Sequence, residues 1–559
     1  MMLFASCGNE TVSAPSEPGT SAVSETSDDT GSVAEALSAD VTDPAEEDVT
    51  DAVSGDVTGA DTGAPSVHED YPAGVTSAEP RGETAVEIVE DPAAAGGKAL
   101  KISGRSEAWN GANYSADVFR GNTVRVKGSF RSSNAAVRVS IQFDVYGNTS
   151  YNMVFSVGTN GDSYTSGGGE YTIPESAENI YIYIESDNLD DIYTDSFSID
   201  VVGEYTYHEK AAGLEFADTS EYPSLKEVYA DYFRIGTAFS GNMVSKPEYS
   251  GLIASQFSSV TAENDMKPEA ILQHIETVAD KEKYMECPAL DFEHLRPELD
   301  FARDNGMTVR GHTLVWHSQT PDWFFYKDYS TSGELADREL MLSRMENYIR
   351  SYMEWTNENY PGLISAWDVV NEAIDDGGGI RKSLWYQTIG DDYIRKAFEY
   401  ARKYAPEGTK LFYNDYNSYQ PGKQYDIIQY LKPIAEDGNI DGVGMQSHIS
   451  TQNNLLVYMT ALKKYHDELG VEIQITELDV GADKNDGWEE RQAAFYGDLF
   501  GRLIKAKQEG VPITSVTFWG VSDGNSWRAS DMPLVLRADL SRKPAFDAVI
   551  AAANDAEAS

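Results

Sequence analysis

Between residues 82 and 206, apolar and polar residues alternate in short runs separated by Gly, Asn and Asp. A period of two indicates strands with one buried face. Residues 137–145 (VRVSIQFDV) place Val, Ile and Phe on one face and mainly polar residues on the other. Residues 180–185 (IYIYIE) place three Ile in the core and two Tyr with Glu185 on the outer face. The repeated runs predict an antiparallel β-sandwich.

From residue 225 to residue 553, a short apolar run followed by an amphipathic helical stretch occurs eight times. This alternation predicts parallel strands joined by helical crossovers. Eight units predict a closed (β/α)8 TIM barrel, a fold that typically needs ~250 residues plus loop insertions. The predicted strands are FRIGTAFS, SSVTAEN, TVRGHTLVWH, ISAWDVVNE, KLFYNDYN, GVGMQSH, IQITELDV and SVTFWGVSD.

The excess of acidic residues distinguishes the N-terminal end from the rest of the chain and restricts the classes of molecule that the chain can bind. The chain has 92 acidic and 43 basic residues, a formal charge of -49. Nucleic acid and anionic membrane surfaces are therefore not expected to bind. Residues 1–80 contain 17 acidic residues and no Lys or Arg, and their low hydrophobicity predicts a disordered acidic linker.

Cysteine usage is sparse, with only Cys7 and Cys287. The segment LFASCGN resembles a bacterial lipoprotein cleavage box, so we expect a lipid anchor through Cys7 and an extracellular or cell-surface location. No run of ~20 apolar residues occurs, so no transmembrane segment is expected.

Polar and aromatic residues cluster at the carboxyl ends of the predicted barrel strands, where TIM-barrel enzymes build their sites. Glu372 in WDVVNEA and Glu477 in ITELDV follow different strands. Glycoside hydrolysis needs such a pair, one carboxyl as proton donor and the other as anion. A single carboxylate at a strand end would be weak evidence for a catalytic site, since many such carboxylates are solvated. The rest of this ring comprises Glu263, Asn264, His312, Trp316, His317, Asn371, Asn414, Gln446, His448, Asp479 and Trp519.

A metal site is the competing interpretation of the histidines. His312 and His317 lie five residues apart on one predicted strand, an offset that directs them to opposite faces. His448 is isolated, and the chain has no HExxH motif. We therefore expect no metal and no cofactor for catalysis. Whether the sandwich binds a structural calcium ion stays an open question.

Motifs in almost every barrel strand give residues 225–553 a close resemblance to glycoside hydrolase family 10, the β-1,4-xylanases. They are TAENDMKPE, VRGHTLVWHSQTPDWF, WDVVNEA, YNDYN, GVGMQSH, ITELDV and FWGVSD. The resemblance implies that Glu372 is the acid/base and Glu477 the nucleophile of a retaining mechanism. It also implies that the pair is supported by Asn371, Gln446, His448 and Asp479. For sugar binding it implies Glu263, Asn264 and Lys267 two units toward the non-reducing end, and His312, Trp316, Tyr416, Trp519 and Trp527 around the cleavage point.

The sandwich at 82–206 resembles, less closely, the family 22 carbohydrate-binding modules. Arg105, Tyr151, Tyr183 and Glu185 match positions that this family uses for xylan. The family usually has a Trp near Ser129, which this sequence lacks.

Together these features predict an endo-acting, retaining β-1,4-xylanase with an appended xylan-binding module. Two alternatives remain open at this point. One is a β-1,4- or mixed-linkage glucanase on the same barrel, and the other is a non-catalytic protein that captures polysaccharide through the sandwich.

Overall fold

A computed structural model describes residues 64–133, 136–145, 148–186, 188–208 and 214–558. Cys7 and most of the predicted acidic linker lie outside the described residues. The described chain forms a β-sandwich followed by a barrel, which confirms the fold class predicted from the hydrophobic pattern.

The sandwich consists of two antiparallel sheets. One has the order β3-β4-β11-β6-β9 with β1 paired to β11, and the other has the order β2-β5-β10-β7-β8. The three Ile of residues 180–185 are fully buried, as the alternation predicts. The strands are β1 (Ser66–His68), β2 (Glu79–Arg81), β3 (Ala85–Glu90), β4 (Lys98–Ser103), β5 (Gly111–Ser115), β6 (Thr123–Arg131), β7 (Ala136–Val145), β8 (Asn148–Gly158), β9 (Thr165–Thr172), β10 (Ala177–Ser186) and β11 (Ile192–Val201).

The sandwich begins earlier than the sequence analysis placed it. β1 pairs with β11 and β2 pairs with β5, so residues 66–81 belong to the sandwich and not to the linker. Both strands have only three residues, SVH and EPR, which is too short for an alternating pattern to be recognised.

The barrel closes through parallel pairing of its first strand, β12, with its last, β21. All eight predicted strands are present, and short additional strands extend two of them. The strands are β12 (Arg234–Phe239), β13 (Ser259–Ala262), β14 (Thr308–Gly311), β15 (Val315–Trp316), β16 (Ile364–Asn371), β17 (Lys410–Asp415), β18 (Gly442–Met445), β19 (His448–Ser450), β20 (Glu472–Gly481) and β21 (Ile513–Phe518).

Helices surround the barrel, and a few of their ends carry capping residues. The side chain of Asp337 accepts a hydrogen bond from the Leu340 N–H at the start of α7. Gly470 ends α11 with φ of 70°, a conformation that glycine adopts without steric cost. The helices are α1 (Leu225–Val228), α2 (Gly241–Val244), α3 (Pro247–Gln256), α4 (Pro268–Ile271), α5 (His274–Ala279), α6 (Arg296–Asp304), α7 (Arg338–Asn359), α8 (Leu384–Ile389), α9 (Tyr393–Tyr404), α10 (Pro421–Glu436), α11 (Leu455–Leu469), α12 (Trp488–Gln508) and α13 (Pro544–Ala558).

Among the described residues, no helix combines the length and apolar character needed to cross a membrane.

Candidate active site

Glu372 lies at the carboxyl end of β16, Glu477 lies within β20 just after its pairing with β18 ends at Ile475, and both line the same cavity. Glu372 directly follows β16 with φ of 53°, which is uncommon for a residue with a side chain. Its N–H donates to the Asn414 carbonyl oxygen at 2.9 Å, so β17 holds this turn in place. Glu477 is 5% exposed. The fold therefore brings together the two carboxylates that the sequence analysis paired.

The surroundings of Glu477 favour its ionised form. Asn414 Nδ2 donates to Glu477 Oε1 at 2.7 Å, and His448 Nε2 lies 3.1 Å from Oε2. Burial opposes the negative charge, but the hydrogen bond from His448 and nearby positive charge outweigh burial and hold the pKa of Glu477 below its ordinary value. Burial also opposes charge on His448, yet its bonds to Asp479 and Glu477 raise the pKa of His448 to about 9.

Asp479 fixes the His448 ring from the side away from Glu477. Asp479 Oδ2 lies 2.8 Å from His448 Nδ1, and Arg528 Nη1 donates to Asp479 Oδ1 at 2.5 Å. Trp527 Nε1 donates to Asp479 Oδ2 at 3.0 Å. The Trp527 ring is 62% exposed, and its centroid lies 5.0 Å from the His448 ring. An exposed ring therefore borders the imidazole at the cavity wall.

Glu372 is held by neutral donors. Trp316 Nε1 donates to Glu372 Oε2 at 2.9 Å, and Gln446 Nε2 donates to Oε1 at 2.9 Å. The side-chain amides of Asn371 and Asn414 lie 3.0 Å apart, which connects the surroundings of the two glutamates. One carboxyl thus lies among neutral dipoles while the other lies beside an imidazolium. The two carboxyls therefore differ in their electrostatic surroundings.

His312 is buried at the wall of the cavity. Its Nδ1 lies 3.0 Å from Asp368 Oδ2, and Arg310 Nε donates to the same carboxylate at 3.0 Å. Burial would raise the pKa of Asp368, but Arg310 and His312 lower it. The prediction that His312 and His317 share one strand is wrong, because the chain leaves β14 before His312 and His317 follows the separate strand β15.

A second polar group lies at the carboxyl end of β13. Lys267 Nζ donates to Asn264 Oδ1 at 3.0 Å and lies 5.1 Å from the Trp316 ring centroid. Desolvation raises the pKa of Glu263, although Lys267 opposes this shift. Burial lowers the pKa of Lys267, while Glu477 and Glu263 oppose it. Glu263, Asn264 and Lys267 line the cavity together.

Aromatic rings form much of the remaining wall. Trp519 is 6% exposed, with its ring 5.5 Å from the His312 ring at 77°. Tyr416 accepts a hydrogen bond from Arg381 Nη2 at 3.1 Å on its hydroxyl. Arg381 Nε also donates to the Glu372 carbonyl oxygen at 3.2 Å. The sequence analysis missed the two arginines, Arg381 and Arg528, because neither follows directly after a strand.

In the part of the chain that the structure describes, no group of three or more His, Cys, Asp or Glu residues is placed to hold a metal ion.

In the sandwich, the predicted sugar-binding role of Arg105 is wrong. Its guanidinium is 6% exposed and donates to main-chain carbonyl oxygens, including those of Asn110 at 2.8 Å and Ser186 at 2.7 Å. Further bonds reach the carbonyls of Ala108 and Asn188. Arg105 therefore connects neighbouring loops through hydrogen bonds to their main chain, and its guanidinium is buried.

Arg81 lies beside Tyr183 and Glu185, two of the residues that the sequence analysis assigned to sugar binding. It lies 3.8 Å from the Tyr183 ring centroid and 5.3 Å from the Trp109 ring centroid. Arg81 Nη1 lies 3.8 Å from Glu185 Oε2. Tyr183 and Glu185 are 3% and 8% exposed, while Tyr151 on the edge strand is 62% exposed. Arg81 was missed because it lies just before the predicted start of the sandwich.

Comparisons with known proteins match both regions. Residues 224–552 match the family described as Glycosyl hydrolase family 10, and residues 74–191 match a family described as Carbohydrate binding domain.

Curated relatives are similar over most of the described chain. Endo-1,4-beta-xylanase B of Butyrivibrio fibrisolvens is 45% identical over 339 residues, which cover 59% of this chain and 53% of the relative. Endo-1,4-beta-xylanase A of Thermotoga maritima is 35% identical over 498 residues, which cover 86% of this chain and 45% of the relative. The chain thus spans about half the length of these curated relatives.

One similar solved structure contains both kinds of module. It is the Clostridium thermocellum endo-1,4-beta-D-xylanase 10B fragment with CBM22-1 and GH10 modules, complexed with xylohexaose. It is 30% identical, covers 87% of this chain and 96% of its own, and has a TM-score of 0.56. The intracellular xylanase of Thermoanaerobacterium saccharolyticum, solved with xylotriose, is 38% identical, covers 59% of this chain and 99% of its own, and has a TM-score of 0.54.

Proposed function

Because the chain belongs to glycosyl hydrolase family 10, we propose that it hydrolyses internal β-1,4-xylosidic bonds of xylan by a retaining, double-displacement mechanism. The observation that carries this proposal is the unequal environment of two carboxyls in one cavity. Glu477 lies beside the His448 imidazolium, and Glu372 lies among neutral donors. The xylanases among the relatives support the choice of substrate.

In the first step, a Glu477 oxygen attacks the anomeric carbon while the bond to the leaving oxygen breaks. The Glu372 proton passes to that oxygen, and Glu477 becomes an ester. In the second step, Glu372 takes a proton from water, the water oxygen bonds to the anomeric carbon, and Glu477 leaves as a carboxylate. Both steps use side chains of this chain alone and need no cofactor.

Supporting residues hold this pair in position. His448, held by Asp479, orients the Glu477 carboxylate, and Gln446 orients Glu372. Asn371 is assigned to the sugar 2-hydroxyl, where a hydrogen bond strengthens as positive charge develops on the ring.

We assign the sugar two units toward the non-reducing end to Glu263, Asn264 and Lys267. The sugar at the cleavage point is enclosed by His312, Trp316, Trp519 and Trp527, with Tyr416 adjacent. Trp519 and Trp527 also give a steric reason to favour a pentose, because a hexose carries a hydroxymethyl group on the side that these rings crowd.

Two glutamate variants test the mechanism. Glu477→Ala should abolish hydrolysis of xylan, because no other group forms the ester. Glu372→Ala should keep the first step with an aryl β-xylobioside, whose leaving group needs no proton, and lose it with xylan. Near-normal xylan hydrolysis by Glu477→Ala would refute the nucleophile assignment. Equal loss on both substrates by Glu372→Ala would refute the acid assignment.

The same substrates separate this proposal from its alternatives. Faster release of reducing ends from carboxymethylcellulose than from xylan would identify a glucanase. Binding of xylan without any turnover would identify a capture protein.

For the sandwich, we propose xylan binding on the face that carries Arg81, Tyr183 and Tyr151. The match to a carbohydrate-binding family supports this role. The cluster presents an arginine between aromatic rings with Glu185 and Gln142 as polar neighbours. Depletion of the protein from solution by insoluble xylan measures the binding.

We also propose that Cys7 is lipidated and anchors the enzyme to the cell surface, with the acidic segment as a spacer. The sequence LFASCGN supports this proposal. Mass spectrometry of the protein from its native cell tests it, and an unmodified Cys7 would refute it.

A further inference from the structure

The cavity that holds Glu372 and Glu477 continues beyond the barrel. Its volume is about 2220 Å³, whereas pockets for drug-sized ligands measure ~300–1,000 Å³. Part of its wall comes from the sandwich, namely Thr149–Asn152 at the start of β8 and Tyr171 at the end of β9.

On the barrel side, this extension begins next to the group that we assign to the second sugar. The loop and first turn after β12, Ser240–Met243, line the cavity on its barrel side. The N–H of Glu263 donates to the carbonyl oxygen of Phe239, the last residue of β12, at 2.9 Å. The extension therefore lies on the non-reducing side of the cleavage point.

The sandwich also lies within electrostatic range of the barrel loop at this place. Burial lowers the pKa of Lys246, between α2 and α3, and the carboxylates of Glu248 on α3 and Asp144 on β7 oppose that shift. The ends of β7 and β8 are thus close to the barrel loop after β12.

The chemistry of the sandwich wall favours a neutral, hydroxyl-rich ligand. Although the chain has a net charge of -49, none of the described sandwich residues that line the cavity is charged. They offer Ser, Thr and Asn side chains for hydrogen bonds together with the Tyr151 and Tyr171 rings. Residues Ser240–Met243 on the barrel side are uncharged as well.

Tyr151 also connects the cavity to the Arg81 cluster. It is paired with Gln142 across β7 and β8, so both side chains lie on the same face of the sheet. Arg81 Nη2 in turn donates to Gln142 Oε1 at 3.3 Å. A path of sugar-compatible side chains therefore runs from the catalytic cavity over Tyr151 to Arg81 and Tyr183.

We infer that the sandwich provides additional glycone subsites, so that one xylan chain binds the barrel and continues over Tyr151 onto the sandwich. This inference rests on the proposed function, since it assumes that the substrate is xylan. The module then acts on individual soluble chains, and its effect is not limited to attaching the enzyme to insoluble polymer.

The test uses the full chain and xylo-oligosaccharides of increasing length that are labelled at the reducing end. The measurements are kcat/KM and the position of the cleaved bond, with an aryl β-xylobioside as the short reference substrate. In Tyr151→Ala, the ratio of kcat/KM for the longest oligosaccharide to that for the aryl xylobioside should fall about 2- to 12-fold, the equivalent of one ring contact. Cleavage should also shift toward the non-reducing end.

Two further variants make the result specific. Asn242→Ala, on the barrel side of the cavity, should change the length dependence in the same direction. Tyr207→Ala is the matched control, because Tyr207 is 69% exposed and does not line the cavity. It should leave length dependence and cleavage position unchanged.

The outcomes distinguish a failure of the proposed function from a failure of the shared-chain inference. Failure of the wild-type chain to hydrolyse the aryl xylobioside and xylan would overturn the proposed function. Normal hydrolysis with identical length dependence in wild type and Tyr151→Ala would overturn the shared-chain inference alone.

Discussion

Replacing His448 by Ala should move the acid limb of the pH profile to higher pH. His448 Nε2 lies 3.1 Å from the Glu477 carboxylate, whose other hydrogen-bond donor among the described side chains is the neutral Asn414 amide. A hydrogen bond to a charged group contributes about 1.5–3 kcal/mol. Since 1.36 kcal/mol corresponds to one pKa unit, the acid limb of kcat/KM should rise by ~1–2 pH units. The sign is upward because the variant loses a group that stabilises the ionised form of Glu477, the proposed nucleophile.

The assay should use an aryl β-xylobioside, whose cleavage does not depend on the proton of Glu372. His448→Gln serves as the control variant, because an amide can donate to Glu477 without carrying charge, and its limb should shift less. Wild type should also lose activity as pH rises through the His448 pKa of about 9, a titration that both variants lack. A uniform loss of activity at every pH, with the acid limb unmoved, would show that His448 has only a structural role.

Three further changes test other parts of the structure. Arg310→Met leaves the buried Asp368 carboxylate without its main counter-charge, so unfolding by urea should show a loss of about 3–5 kcal/mol. Trp527→Phe keeps an aromatic ring but removes the donor to Asp479. Since Trp527 is 62% exposed, water can replace part of that hydrogen bond, and kcat/KM for xylan should fall about 2- to 12-fold. Arg81→Ala should weaken binding to insoluble xylan in a depletion assay, because it removes the cation between the aromatic rings of the sandwich.

The barrel could be predicted from sequence because each strand leaves a local signal, an apolar run followed by polar residues at its carboxyl end. The convergence of Glu372 and Glu477 follows from that topology, since all parallel strands of a barrel deliver their carboxyl ends to one rim. Nothing local reveals that Arg528 reaches Asp479, or that Arg381 binds the Glu372 carbonyl, because these contacts join loops.

The contacts within the sandwich are harder to predict from sequence, because they join side chains of strands that are far apart along the chain. Arg105 and Arg81 both lie near strand ends, and their charge is the same. Only the three-dimensional structure shows that one donates to main-chain carbonyls while the other stacks on Tyr183. Likewise, the alternation places Tyr183 correctly on the outer face, but it cannot show that another side chain covers it.

Glu298 on α6 supplies a prediction about stability. It is 3% exposed, and neither carboxyl oxygen has a hydrogen-bond partner of good geometry. Burial and the nearby Asp265 carboxylate raise its pKa well above the ordinary value. The folded chain therefore keeps a proton that the unfolded chain releases above pH ~4.3. Folding stability from this group is fully present below that pH and is lost as pH rises toward the folded pKa.

Glu298→Gln removes this titration and keeps the size of the side chain. Its free energy of unfolding should exceed that of wild type by an amount that grows with pH above ~4.3, at most about 1.4 kcal/mol per pH unit. Urea unfolding at pH 5, 6, 7 and 8 measures the difference. Asp304→Asn, at the exposed end of the same helix, is the control and should show no such growth. A gap between Glu298→Gln and wild type that stays constant over this range would mean that Glu298 is ionised in the folded protein.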